Sequence, residues 1–306
     1  MGLIEASSRK KRVKFVLYVL IVIMTITDIV LLGRYLINGK NIALLNPKGF
    51  IAEQQYSLMM FTIATLMLIA IPSLFTLYFT AWKYRESNTK IHQATKSKHS
   101  KYLVFTMWLV PTVIMIVLAV VMWSGTHKLV PQKQISSDKK PLTVQVISMR
   151  WKWLFIYPEQ DIATVNFVQL PVDTPVTFEI TADDAPMSSF WIPNLGGQLY
   201  SMTSHVNRLN LMADTTGDFP GSSAEINGAG FAGMKFTARV SSQDDFSRWV
   251  QATRQSPEVL DTKAYESLLR PSEDNPVVAY SDYASNLYDR VVIKYLEPND
   301  AHGHAE

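Results

Sequence analysis

The chain has 306 residues, enough for one or two domains, and a formal net charge of +3, too small to argue for nucleic acid as a partner. It contains no cysteine, which excludes disulfides, thiolate metal sites, a cysteine nucleophile and a lipid anchor on an N-terminal cysteine. Apolar residues are concentrated in the first 125 positions with basic residues beside them, a membrane signature.

In chain order, a basic run (Arg9, Lys10, Lys11, Arg12, Lys14) precedes a first apolar span from about Val13 to Leu32. No small-x-small cleavage site follows, so an uncleaved anchor is favoured over a cleaved signal. Two further spans run from Leu58 to Phe79 and from Tyr102 to Trp123. Each has about 22 residues, roughly 33 Å as helix, which matches a bilayer core. They contain Pro72 and Pro111 but no charge between their ends. The loop between them holds Lys83, Arg85, Lys90, Lys96, Lys98 and Lys101 against Glu86 alone and is expected on the cytoplasmic side. Everything after residue 124 then lies outside the membrane of a multi-pass protein.

From Leu142 the pattern changes to alternation: Leu142, Val144, Val146; Val176, Phe178, Ile180; Leu209, Leu211; Met234, Phe236, Ala238, Val240. Period two in short runs, split by Pro171, Pro175, Pro193 and Gly217, predicts strands buried on one face and a β-sandwich. Asp244–Gln255 reads as a helix capped by Ser242, with Phe246, Trp249 and Val250 on one face. A short helix is predicted over Thr262–Leu269, and a polar, disordered end after Glu297. The organisation is thus 1–45 basic segment and anchor or signal helix, 46–125 helical hairpin, 126–241 sandwich, 242–296 helical arm and 297–306 tail.

Two stretches carry the functional argument: Ser188-Ser189-Phe190-Trp191-Ile192-Pro193-Asn194-Leu195-Gly196, and Gly221 through Met234. They resemble the copper loops of subunit II of haem–copper respiratory oxidases, where cytochrome c oxidases carry a His and then Cys-x-x-x-Cys-x-x-x-His-x-x-Met. The matching positions here are Ser188, Ser223, Asn227, Phe231 and Met234. Hydroxyl, amide and phenyl groups do not replace thiolate and imidazole as copper donors, and Met234 alone cannot hold a binuclear centre. Asn46-Pro47-Lys48-Gly49, Ala81–Arg85, Val146–Gln160 with its Arg150-Trp151-Lys152-Trp153 core, Ile162–Asn166 and Gly230–Phe236 extend the resemblance over roughly Asn46 to Leu296. Together they resemble the copper-free quinol oxidase branch, in the version of cytochrome o-type ubiquinol oxidases.

The resemblance implies a cupredoxin-like Greek-key sandwich and a non-catalytic subunit of a proton-pumping quinol oxidase in a bacterial cell membrane. This chain would clamp and cap subunit I, which would hold the haems, the copper and access to quinol. Subunits III and IV are further expected partners, and cytochrome c is not. Glu225 matches a residue whose side chain reaches magnesium in copper-bearing relatives, so it is the magnesium candidate. Val104 stands where many relatives have a proton-feeding glutamate; His99 and Tyr102 lie nearby. Trp151 matches an electron-entry aromatic, but with no copper behind it a packing role at the junction with the membrane helices is favoured. His205 is off the matched positions, and His302 and His304 form only a weak metal-binding tract. No nucleophile elbow, phosphate loop or paired His/Asp arrangement is present. The alternative is a membrane-tethered, copper-free cupredoxin-like scaffold or assembly factor.

Overall fold

The computed structural model describes residues 23–25, 27–28, 30–35, 42–85 and 100–295. The basic N-terminal run, much of the first apolar span, most of the lysine-rich loop with His99, and the tail with His302 and His304 lie outside the described residues. The chain divides into two compact units, Met1–Asn46 and Pro47–Glu306. In the first, the described residues between 23 and 35 are helical, and Ala43–Leu45 forms a 3-10 turn.

The second unit begins with the hairpin, α1 (Phe50–Lys83) and α2 (Lys101–Lys128). Both are long and apolar enough to cross a membrane, and both exceed the predicted spans. At 34 residues α1 is about 51 Å long, well beyond a bilayer core of about 30 Å. Its start serves the sandwich: Lys48, just before the helix, and Phe50 and Ala52, in its first turn, donate their backbone N–H groups to the carbonyls of Asn194, Met212 and Leu195 at 2.8, 3.0 and 3.2 Å. Two of the orphan donors of the helix N-terminus, the Phe50 and Ala52 N–H groups, are thereby satisfied by sandwich loops. Along the spans, Thr62, Thr65, Thr76, Thr80, Thr106 and Thr112 return their hydroxyls to the carbonyl four residues earlier. No threonine among them then brings an unpaired hydroxyl to lipid.

The sandwich has two sheets. The first contains β1 (Leu142–Met149), β2 (Lys152–Tyr157), β3 (Ile162–Val165), β5 (Val176–Ala182), β8 (Asn207–Leu211) and β11 (Val278–Tyr280), in the order β11-β3-β2-β1-β5-β8. The second contains β4 (Phe167–Pro171), β6 (Ser188–Trp191), β7 (Leu199–Ser201), β9 (Gly217–Ser223) and β10 (Lys235–Ser241), in the order β4-β10-β9-β6-β7. The pairs β1–β5 and β4–β10 are parallel and the rest antiparallel. Two breakers expected between strands lie within them: Pro171 ends β4 and Gly217 opens β9. Pro171 sits in an edge strand, where a missing N–H is tolerated.

Between the sheets, Trp153, Phe155, Phe178, Phe190 and Phe236 form an aromatic core, with Phe190 and Phe236 stacked at 5.1 Å and 8°. The expectation of strands buried on one face is corrected for the first sheet. Ile147, Met149, Leu154, Ile156, Ala163 and Val165 point away from that core and are buried against Leu260, Tyr265, Leu287, Tyr288 and Val291. These come from α4 (Thr262–Leu269), α5 (Leu287–Lys294) and the segments around them. The preceding helix, α3 (Gln243–Thr253), is capped by the Ser242 hydroxyl, which accepts from the Asp245 N–H at 3.1 Å. It closes the inter-sheet core with Phe246 and Val250 and packs Trp249 against it. The C-terminal segment therefore serves two cores, one between the sheets and one outside them.

Candidate functional site

The two matched stretches meet at one end of the sandwich. Ser188 opens β6; Ser223 ends β9; Asn227, Phe231 and Met234 lie on the loop that leads to β10. In β6 side chains alternate, so Ser188 faces the same side as Phe190. The structure brings Ser188, Asn227 and Met234 into contact. The Asn227 carboxamide donates from Nδ2 to Ser188 Oγ at 2.7 Å and points at Met234 Sδ at 3.0 Å. Ser188 Oγ is 4.0 Å from the same sulfur. All three side chains are buried. Ser223 Oγ donates to the Glu225 carbonyl at 2.9 Å and accepts the Ser189 N–H at 3.3 Å. Phe231 stands half-buried on the 3-10 turn Ala229–Gly233, outside this hydrogen-bonded group.

These residues do not fit copper. An amide nitrogen has no free lone pair, and its N–H groups already occupy the serine oxygen and the thioether that would have to face a metal. The Glu225 carbonyl is taken by Ser223, and its side chain is half-buried. Among the described residues no group of three or more His, Cys, Asp or Glu side chains converges. His205 is exposed on a turn, with Nδ1 near Ser204 Oγ and the Thr203 carbonyl. Tyr102 and Val104 lie exposed on the first turns of α2.

Trp151 closes the site from the side. It is the second residue of the β1–β2 turn and has φ +67°, a region costly for a bulky side chain. Held there, its ring lies against Gly228 and Gly230, and a Cβ on Gly230 would overlap it. The segment Lys48–Ala52 described above joins α1 to the sandwich loops. Trp151, Arg150, Asp184, Asn227 and Tyr295 line a cleft of about 490 Å³. Trp151 Nε1 and Asn227 Oδ1 are both buried without a hydrogen-bond partner among the described residues.

Two buried charges escaped the sequence reading. Lys152, 1% exposed, donates from Nζ to the carbonyls of Leu268 and Arg270 at 2.8 Å each and to Ser272 Oγ at 2.5 Å. It thus caps the C-terminus of α4, the negative end of that helix. Burial pulls its ammonium below the usual lysine range. Asp183, also 1% exposed, accepts from Tyr265 Oη at 2.5 Å, Tyr295 Oη at 2.6 Å and Lys294 Nζ at 2.8 Å. Burial, and then the Asp183 carboxylate, push both tyrosines above their ordinary range. Burial alone would lower Lys294, but its hydrogen bond to Asp183, the Asp183 charge and the neighbouring Tyr295 together raise it. The only signal in the sequence was a lysine placed inside an otherwise apolar, aromatic strand.

Comparisons with known proteins agree with this architecture. Residues 158–240 match the family model for the cytochrome c oxidase subunit II periplasmic domain, and residues 254–299 match the COX aromatic rich motif. The chain is 44% identical to cytochrome bo(3) ubiquinol oxidase subunit 2 of Pseudomonas putida, covering 86% of this chain and 84% of that protein. It is 39% identical to ubiquinol oxidase subunit 2 of Acetobacter aceti, covering 85% of each. It is 35% identical to quinol oxidase subunit 2 of Bacillus spizizenii, covering 82% of this chain and 78% of that protein. Among solved structures, the periplasmic domain of subunit II of the Bradyrhizobium japonicum cytochrome oxidase aligns with 39% of this chain and 96% of its own, at 22% identity and a TM-score of 0.36. Two apolar helices followed by a match to a periplasmic domain mark a membrane protein with an outer domain, cupredoxin-like in fold. With that identity over that length, the chain belongs to the ubiquinol oxidase subunit 2 family, as a subunit of an oxidoreductase complex.

Proposed function

We propose that this chain is the copper-free subunit II of a proton-pumping terminal oxidase that passes electrons from quinol to oxygen, and that it holds no redox centre of its own. The observation that carries the reading is the Ser188–Asn227–Met234 group, in which an amide bonds to the groups a copper ion would need. Ser188, Ser223, Asn227 and Phe231 are read as lost ligand positions and Met234 as the retained one. Electrons then bypass this chain, and haems, copper and quinol belong to subunit I. Ubiquinol is the favoured donor, since relatives named for it reach 44% and 39% identity.

In this reading the hairpin is the membrane part, the sandwich caps the outer face of subunit I, and subunits III and IV complete the assembly. The charged loop between the spans faces the cytoplasm. Proton uptake does not pass through Val104, because a valine carries no exchangeable proton on its side chain. Glu225 would join a magnesium site only with ligands from subunit I. The test is oxygen uptake by the purified complex with reduced ubiquinol or reduced cytochrome c as sole donor. Quinol supports turnover and cytochrome c does not; equal rates with the two donors refute the proposal.

A further inference from the structure

The loop from Ala224 to Met234 has an unusual support problem. It contains Gly228, Gly230 and Gly233, and Asn227 and Met234 are its main inward anchors. It has no metal-ligand set of its own, so something else must fix it.

The C-terminal arm reaches it at two places. The turn after α4 brings Asp274 against Gly233, so closely that a Cβ on that glycine would overlap the Asp274 carboxylate. Alongside, Asn275 and Val277 line a second cleft, of about 500 Å³, with Ser222 and Lys235, the strand residues at the base of the loop. At the other end of the arm, Tyr295 faces Asn227 and Trp151 across the first cleft. Its hydroxyl donates to Asp183 and accepts the Asp184 N–H at 2.8 Å, and Asp184 in turn accepts from Arg150 Nε through its carbonyl at 3.0 Å.

Both approaches are anchored by a fully buried charge of the sandwich. Lys152 ties down the α4 terminus and Ser272, and the Ser272 hydroxyl then donates to Asn275 Oδ1 at 2.7 Å. Asn166 continues the fixture, accepting the Trp153 N–H at 2.9 Å and donating to the Asn275 carbonyl at 3.0 Å. Asp183 ties down Tyr265, Lys294 and Tyr295. A buried charge is costly unless well paired. Two such charges, both spent on the arm and neither on each other, indicate that the arm's position matters beyond covering apolar surface.

We propose that the arm is a brace for the metal-free loop, with Lys152 and Asp183 as positioning residues. Through Asp274 they fix Gly233, and through Tyr295 they fix the wall that keeps the Arg150–Trp151 turn over Gly228 and Gly230. The proposal rests on the copper-free reading of the loop, but its test is separate from copper content.

The experiment is hydrogen exchange on the intact oxidase complex, with 19F NMR of 5-fluorotryptophan-labelled protein. The Trp151 line is assigned by its loss in Trp151→Phe. Asp274→Gly is the key variant, because residue 274 has φ +49°, which glycine adopts freely, so the carboxylate is removed without backbone strain. Lys152→Met and Asp183→Asn test the two anchors. The brace predicts at least ten-fold faster exchange of the amides in 224–234 in Asp274→Gly and Lys152→Met, with 142–146 and 176–180 unchanged. It predicts a shift of the Trp151 line alone in Asp183→Asn and Tyr295→Phe. Unchanged loop exchange in Asp274→Gly, faster exchange confined to 260–294 in Lys152→Met, or an unmoved Trp151 line in Tyr295→Phe overturns it. Should an anchor variant fail to assemble, Asp274→Gly and Tyr295→Phe still decide.

Discussion

Two rungs of the sandwich, one dipeptide apart, are built in opposite ways. Phe190 and Phe236 stack face to face inside a cluster that includes Trp153, Phe155 and Phe178. Two residues earlier on each side, Ser188 and Met234 meet across the Asn227 amide. The inner rung is held by area removed from water, a force that needs no exact partner. The outer rung is held by a few directional bonds, each worth about 1 kcal/mol net. The Ser188–Asn227–Met234 contacts therefore support the loop far less than the stacked rings support the core.

This contrast predicts a ranking of effects. Phe236→Ala, in the inner rung, should lower stability by about 3–5 kcal/mol and strip three ring contacts at once; the unfolding transition of the subunit in the purified complex measures it. Lys152→Met should cost about 1–3 kcal/mol, because the Leu268 and Arg270 carbonyls lose their buried donor. Asn227→Ala should cost about 1 kcal/mol, and quinol-dependent turnover should change little, since no electron passes through the loop. A loss from Asn227→Ala as large as that from Phe236→Ala would break the comparison.

The smallest effect belongs to the surface. Arg239 and Asp218 pair through two bonds at 2.7 and 2.8 Å, and the arginine holds the Asp218 carboxyl below its usual range. A carboxylate depressed in the folded state contributes stability above its unfolded pKa and loses it as pH falls through the folded value. Both side chains are about half exposed, so the pair is worth about 0–1 kcal/mol. Asp218→Asn should cost about 0–1 kcal/mol at neutral pH and nothing once the wild-type carboxyl is protonated, so the acid limb of the stability profile flattens by that amount.

The legible parts of the sequence were those where one physical signal ruled. β1, β5 and β10 alternate because one face meets the inter-sheet core and polar residues take the other for much of their length. The Ser242 cap and the α4 span Thr262–Leu269 follow from local chemistry alone. The first sheet's central strand was not read as a strand because every residue of Lys152–Tyr157 is buried. Its second face is covered by an arm more than a hundred residues away, so alternation vanishes. β9 was hidden because Gly217, read as a breaker, opens it, and Pro220 and Gly221 interrupt any apolar alternation along it. Pro220 is tolerated because β6 pairs only with Ser222 and Ser223 on that side. α5 follows Asn286 at φ +55°, with no side-chain cap to announce it. At the site, residue types showed which positions cannot bind copper. They could not show that Asn227 ties Ser188 to Met234, or that Lys152 and Asp183 reach the arm, since those contacts exist only once the chain is folded.

The most direct test of the central claim is copper accounting on the purified oxidase, combined with its near-infrared and electron paramagnetic resonance spectra. The account predicts no copper attributable to this chain, no absorption from a mixed-valence copper pair, and full quinol-driven oxygen reduction. Two tightly held copper ions per copy of this chain, with that near-infrared band, would contradict it.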